Sequence, residues 1–148
     1  MKVQELGHIV LYVSSLKKSS LFYRDILGFP EIGRLPGAAL FSGGRTHHEL
    51  LLIEIGGETG RANKREPGLY HIGFKIGTAP EELIQAAEEL EEKGVSIIGA
   101  TDHGVTHSLY ILDPDHNELE LYIDVTDSWK TDPRAILAPP KRLSYLSL

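Results

Sequence analysis

Cysteine is absent from this 148-residue chain. That excludes disulfides, thiolate-held zinc and a cysteine nucleophile together, and leaves His, Asp and Glu as the side chains able to hold a metal. No run of 18 or more apolar residues occurs, so nothing is expected to span a membrane. The opening residues, Met1-Lys2-Val3-Gln4-Glu5, lack the apolar stretch of a secretory signal. Positive charge is scarce: 15 Lys and Arg stand against 21 Asp and Glu, for a net charge of −6. Nucleic acid is therefore not an expected partner, because phosphate backbones attract basic surfaces. Nothing else in the composition is unusual for a globular protein of one domain. A cytoplasmic enzyme or binding protein is the expectation.

What the chain does contain is a pattern used twice. Gly7-His8-Ile9-Val10 near the start returns as Tyr70-His71-Ile72-Gly73-Phe74. Leu6 to Val13 reads as a buried strand, and Ser14-Ser15 as a helix cap. The apolar positions from Leu16 to Leu27 keep helical spacing until Gly28 ends it. Strands follow at Glu31 to Leu35, Ala38 to Ser42 and His47 to Ile55, broken by Pro36-Gly37 and Gly43-Gly44. The second half repeats the order. Leu69 to Ile76 is a strand, and Ala79-Pro80 opens a helix with a Leu83, Ile84, Ala87, Leu90 stripe that ends at Lys93-Gly94. Strands at Val95 to Ile98, Ser108 to Leu112 and Glu118 to Ile123 complete it. Each half is thus β-α-β-β-β, and neither could readily bury its strand faces alone. After Asp124 the pattern stops, and the tail containing Trp129, Pro133, Pro139 and Pro140 reads as irregular, either a surface extension or a cover for a cleft or partner.

The matched pair His8 and His71, with Glu120 on the last strand, has the composition of a 2-His-1-carboxylate metal site. One such histidine would ordinarily be structural; the repeat-matched pair makes ligands the better reading. Glu118 shares a face with Glu120 but reads as solvated, as do His47 and the loop cations Arg61, Lys64 and Arg65, while His107 and His116 read as strand-edge and turn residues.

The paired modules, the histidines that open their strands and the Asp113-Pro114-Asp115-His116-Asn117 turn before Glu120 resemble the vicinal oxygen chelate superfamily. This superfamily contains glyoxalases, epimerases, fosfomycin- and bleomycin-resistance proteins and extradiol dioxygenases. The resemblance covers roughly residues 4 to 124. It implies an α+β fold in which two β-α-β-β-β modules form a curved mixed sheet around a metal-binding cleft. Chain 1–148 would be a single domain, with module one at about 4–57, module two at about 68–124 and an extension over 125–148. His8, His71 and Glu120 fall on the shared ligand positions. His103-Gly104-Val105-Thr106-His107, followed by Leu109-Tyr110-Ile111-Leu112-Asp113-Pro114, looks most like the signature of catechol 2,3-dioxygenases, and His48 resembles their active-site histidine.

The resemblance therefore implies a one-domain extradiol dioxygenase that cleaves a small aromatic diol with O₂, using Fe(II), with Mn(II), Zn(II), Ni(II) or Co(II) as alternatives. His48 would move the diol proton, Tyr110 would donate to a substrate oxygen, and His103 would bond the substrate hydroxyl. The alternative is a glyoxalase- or epimerase-like enzyme in which Glu49 is a fourth ligand. His48 and Glu49 are neighbours on an expected strand, so only one of them should face the metal. A metal-free drug-binding protein is a further alternative, for which the triad would have no use. A homodimer is expected, since one pair of modules leaves sheet edges uncovered.

Overall fold

The computed structural model describes residues 1–57 and 68–146. Arg61, Lys64 and Arg65, weighed above, lie outside the described residues. The chain divides into two compact units. The first holds residues 1–57 with 114–116, and the second holds 68–113 with 117–146.

In the first unit, β1 (Ile9–Val13) lies parallel to β4 (Leu50–Glu54), followed by β3 (Ala38–Phe41) and β2 (Glu31–Leu35) in antiparallel order. β1 starts three residues later than the expected strand, and Leu6 is exposed. Helix α1 (Leu16–Leu21) begins where expected: the Ser15 hydroxyl accepts from the Lys18 N–H. The helix widens into a π-helical turn over Phe22–Ile26 and stops at Gly28, whose φ of +66° suits a residue without Cβ. Asp115, from the turn, accepts from the Ser14 N–H and the Ser19 hydroxyl. Tyr23, Phe41, Leu50 and Leu52 fill the core.

The second unit has a five-stranded sheet in the order β5 (His71–Gly77), β8 (Glu118–Asp124), β7 (Thr106–Leu112), β6 (Ile97–Asp102) and β9 (Lys141–Arg142). Helix α2 (Pro80–Glu92) packs against it through Leu83, Ala87 and Leu90. Both units show the β-α-β-β-β order. Alternation along β8 separates two faces: Leu119, Leu121 and Ile123 enter the core, while Glu118, Glu120 and Tyr122 point the other way.

The tail departs from the irregular reading. Two 3₁₀ turns, Ser128–Lys130 and Pro133–Leu137, precede β9, which pairs with Thr101 and Asp102 of β6 and continues into the buried Leu143. No helix among the described residues is long and apolar enough to cross a membrane.

Candidate metal centre

The outward face of β5, β7 and β8 gathers the second unit's functional side chains. Register sets this. Tyr110 on β7 pairs directly with Glu120 on β8, and His71 on β5 pairs with Glu118. The His71 Nε2 lies 3.2 Å from Glu120 Oε2. Tyr110 donates its hydroxyl proton to Glu120 Oε1 at 3.2 Å, and His103 Nε2 meets the same phenol oxygen at 3.0 Å. A hydrogen-bonded chain thus runs from His103 through Tyr110 to Glu120, whose other carboxylate oxygen lies beside His71. Burial, then the Glu120 charge and hydrogen bond, push the Tyr110 phenol up to about 12. It therefore stays protonated and able to donate near neutral pH.

Position His103 comes from a tight turn between β6 and β7. Its N–H donates to the Thr106 carbonyl, and Gly104 takes a φ of +80° while donating to the Asp102 carboxylate.

Glu118 is not the solvated neighbour its place beside the turn suggests. It is buried, with Oε1 3.7 Å from His71 Nδ1, and that nitrogen is itself buried without a hydrogen-bond partner. A ligating imidazole commonly has a carboxylate behind its second nitrogen, which fixes ring orientation and raises ligand basicity. The Nε2 beside Glu120 and the carboxylate behind Nδ1 therefore suit His71 to holding a metal together with Glu120.

In the first unit His8 sits among histidines. Its ring lies 4.5 Å from that of His48 and 5.8 Å from that of His47, centroid to centroid. The His47 and His48 Nδ1 atoms are 2.6 Å apart, so one carries the proton. His48 Nε2 is buried without a partner. Burial, then the neighbouring His47 and His8, lower the His48 imidazole below its ordinary value.

The choice between His48 and Glu49 takes an unexpected form. Both precede β4 rather than lying on it, so strand alternation does not sort them. Glu49 folds back into its own loop and accepts from the Gly43, Arg45 and Thr46 N–H groups at 2.7, 2.8 and 2.9 Å. Burial alone would raise its carboxyl, but the Thr46 and Gly43 amides, the Ser42 hydroxyl and the Arg45 amide together bring it below the ordinary value. Glu49 is a loop clamp.

Among the described residues no three His, Asp or Glu side chains are assembled to hold an ion. His71 and Glu120 are brought together in one unit, and His8 and His48 in the other. Beside the Glu120 chain, the second unit opens into a cavity of about 1080 Å³. Its lining adds residues that the motif reading missed: Lys75, Tyr122 and Asp124 share the two-residue period of His71 and Glu120, a signal available in the sequence. Trp129 and Ile136 come from the tail, which had no period to read.

Residues 5–121 match the Glyoxalase/Bleomycin resistance protein/Dioxygenase superfamily. The chain belongs to this superfamily. It is 34% identical over 122 residues to a biphenyl-2,3-diol 1,2-dioxygenase of Rhodococcus globerulus, covering 80% of this chain and 63% of that one. It is 31% identical over 128 residues to a catechol-2,3-dioxygenase of Bacillus subtilis, covering 86% of this chain and 44% of that one. The chain thus spans less than two thirds of the length of either dioxygenase. A solved glyoxalase/dioxygenase structure from Nostoc punctiforme shares the fold at a TM-score of 0.66 and 21% identity, over 83% of this chain and 92% of the other. The chain is also similar to a manganese-dependent 2,3-dihydroxybiphenyl 1,2-dioxygenase of Geobacillus genomosp. 3 (30% identity, 84% of this chain and 38% of that one) and to a glutathione transferase of Serratia marcescens (29% identity, 82% of each). Membership alone does not choose a chemistry.

Proposed function

We propose that this protein is an Fe(II)-dependent extradiol dioxygenase acting on a catechol-like diol and O₂, with His8, His71 and Glu120 as the metal ligands. The observation that carries this reading is the hydrogen-bonded chain His103–Tyr110–Glu120, with His71 beside it on one sheet face, opening onto a cavity. When bound, the metal supplies the redox chemistry that lets the diol and oxygen react and open the ring. The protein's own groups bind and handle protons. Tyr110, held protonated, donates to a diol oxygen. His103, bonded to that phenol, orients it and meets the second hydroxyl. His48, neutral at pH 7 and with an unsatisfied Nε2, accepts the diol proton.

The glyoxalase-like alternative needs Glu49 as a ligand. Its carboxylate is already engaged by three backbone amides, and freeing it would leave those donors unpaired. That weighs against the alternative. Metal identity is part of the proposal: a site of two imidazoles and one carboxylate suits Fe(II) and Mn(II) alike.

The test is metal analysis of protein purified under nitrogen, followed by oxygen uptake with catechols after loading with Fe(II) or Mn(II). Uptake that depends on the metal, with a yellow ring-opened product, is the expected result. A metal-loaded protein that consumes no oxygen with any diol, yet isomerises a thiol adduct, would overturn it.

A further inference from the structure

His47 reads from sequence as a solvated strand end, and the structure gives it a partner. Along a strand, consecutive side chains point to opposite faces and do not meet. The chain bends over residues 44–47 before β4 begins, and this brings the consecutive imidazoles of His47 and His48 together, 4.5 Å between ring centroids. The segment is fastened by its own bonds. The Glu49 carboxylate clamps the Gly43, Arg45 and Thr46 amides, and the Thr46 hydroxyl donates to the His48 carbonyl at 2.7 Å. The Ile9 N–H donates to the Glu49 carbonyl at 2.9 Å, which ties the segment to β1. The two rings therefore meet on a backbone held in place.

The His47 and His48 Nδ1 atoms lie 2.6 Å apart, so a single proton sits between them and belongs to one ring. The two choices differ in what they leave on the far side of His48. If His47 donates, His48 carries its own proton on Nε2, and that N–H is buried with no acceptor. If His48 donates, its Nε2 carries a bare lone pair, and His47, an exposed residue, keeps its proton on Nε2. Orphaned buried N–H groups are the rarer outcome in folded proteins, and water can serve His47 in the second arrangement.

We propose that His47 is a positioning residue: its Nδ1 accepts from the His48 Nδ1–H and so holds the lone pair of His48 on the buried Nε2. The inference rests on the dioxygenase reading above and adds to it the group that orients the proton acceptor. The diol O–H bond breaks as an N–H bond forms at His48 Nε2. The ring then carries protons on both nitrogens, and His47 goes on accepting from Nδ1–H. In the other tautomer His48 has its proton on Nε2 and no lone pair to offer there.

Tautomers are read directly by nitrogen-15 NMR. Couplings from the ring carbon protons distinguish Nδ1–H from Nε2–H in the labelled full chain, recorded without metal and with diamagnetic Zn(II). His48 is identified among the seven histidines by its absence in His48→Phe. The expected result is Nδ1–H for His48, the form that free histidine disfavours. His47→Phe keeps a ring but offers no acceptor, and should return His48 to Nε2–H. His47→Asn places an amide oxygen near where Nδ1 lay, and should keep His48 as Nδ1–H. In oxygen uptake with catechol, His47→Phe should lower kcat by about tenfold with KM held within about twofold, and His47→Asn should recover most of the loss. That loss is smaller than the range of about 10²–10⁴-fold for a missing proton shuttle, because part of the His48 population still reaches the productive tautomer.

Nε2–H for His48 in the wild-type chain overturns the proposal, as does an unchanged tautomer in His47→Phe. A tautomer that changes while kcat does not removes the positioning role. The expected tautomers with no uptake from any diol remove the dioxygenase reading and leave His47 as the group that sets the His48 tautomer.

Discussion

At the scale of single residues, the proposed roles separate by what each substitution does to metal and to rate. His71→Ala should abolish metal retention, because it removes one of only three proposed protein ligands and leaves Glu118 facing a void. Unchanged metal content in that variant would end the assignment. Tyr110→Phe should keep the metal and lower kcat by about a hundredfold, the scale of losing one positioned donor. His48→Phe should likewise keep the metal and slow turnover by about 10²–10⁴-fold, as for a proton shuttle. The wild-type pH–rate profile should show no alkaline limb near pH 10 from Tyr110, because its phenol is raised to about 12 and stays protonated through that range. Glu49 provides the discriminating control. Its Ala variant should retain metal and lower the thermal midpoint, since the Gly43, Arg45 and Thr46 amides lose their acceptor. Metal loss in Glu49→Ala, measured beside a silent His48→Phe, would restore the glyoxalase-like reading.

At the scale of elements, helix α2 shows how a local motif supports the site strand beside it. The Glu82 carboxylate accepts from the Thr78 and Ala79 N–H groups at 2.7 and 2.8 Å, capping the helix that covers the inner face of the sheet. These two bonds lower the Glu82 carboxyl below its ordinary value of 4.5. A carboxyl lowered on folding stabilises fully above its unfolded value and loses that contribution as pH falls through the folded one. Glu82→Gln should therefore lower the thermal midpoint at pH 7, and the gap from wild type should close as pH falls below about 4.5. A gap that persists at pH 3 would place the effect elsewhere. Gly77→Ala should mimic the loss, because a Cβ there would occupy the space of the Glu82 carboxylate.

The same scale shows what could be read from sequence and what could not. β8 was legible because alternation is local: Leu119, Leu121 and Ile123 go one way, and Glu118, Glu120 and Tyr122 the other. The meeting of Tyr110 with Glu120 followed from two strands and the turn between them. Glu49 was not legible, since its direction is decided by amides of its own loop rather than by strand period. β9 was not legible either. A two-residue strand has no pattern, and its partners Thr101 and Asp102 are distant in sequence. Glu118 was misread because its neighbour across the sheet, His71, belongs to another strand.

For the whole molecule, the outstanding expectation is a homodimer, and the structure changes where its contact should be sought. The tail was a candidate, but several of its apolar residues are already placed within the second unit. Leu143 is buried, Tyr145 holds His107, and Trp129 and Ile136 line the cavity. Truncation after Thr126 would strip β9 from the edge of β6 and confound folding with association. The first unit offers a cleaner surface. Ile32 and Leu35 on the edge strand β2 are 53% and 63% exposed, and the irregular register between Glu31 and Gly33 discourages strand-to-strand addition there. Side-chain packing between two copies of this face is the arrangement that would cover both residues in each chain, and two-fold pairing is the commonest closed symmetry. Light scattering of the full chain at micromolar concentration should give twice the chain mass, and Ile32→Lys with Leu35→Lys should give the monomer with an unaltered thermal midpoint. A monomeric full chain rejects the dimer. A dimer indifferent to both lysines moves the contact away from β2.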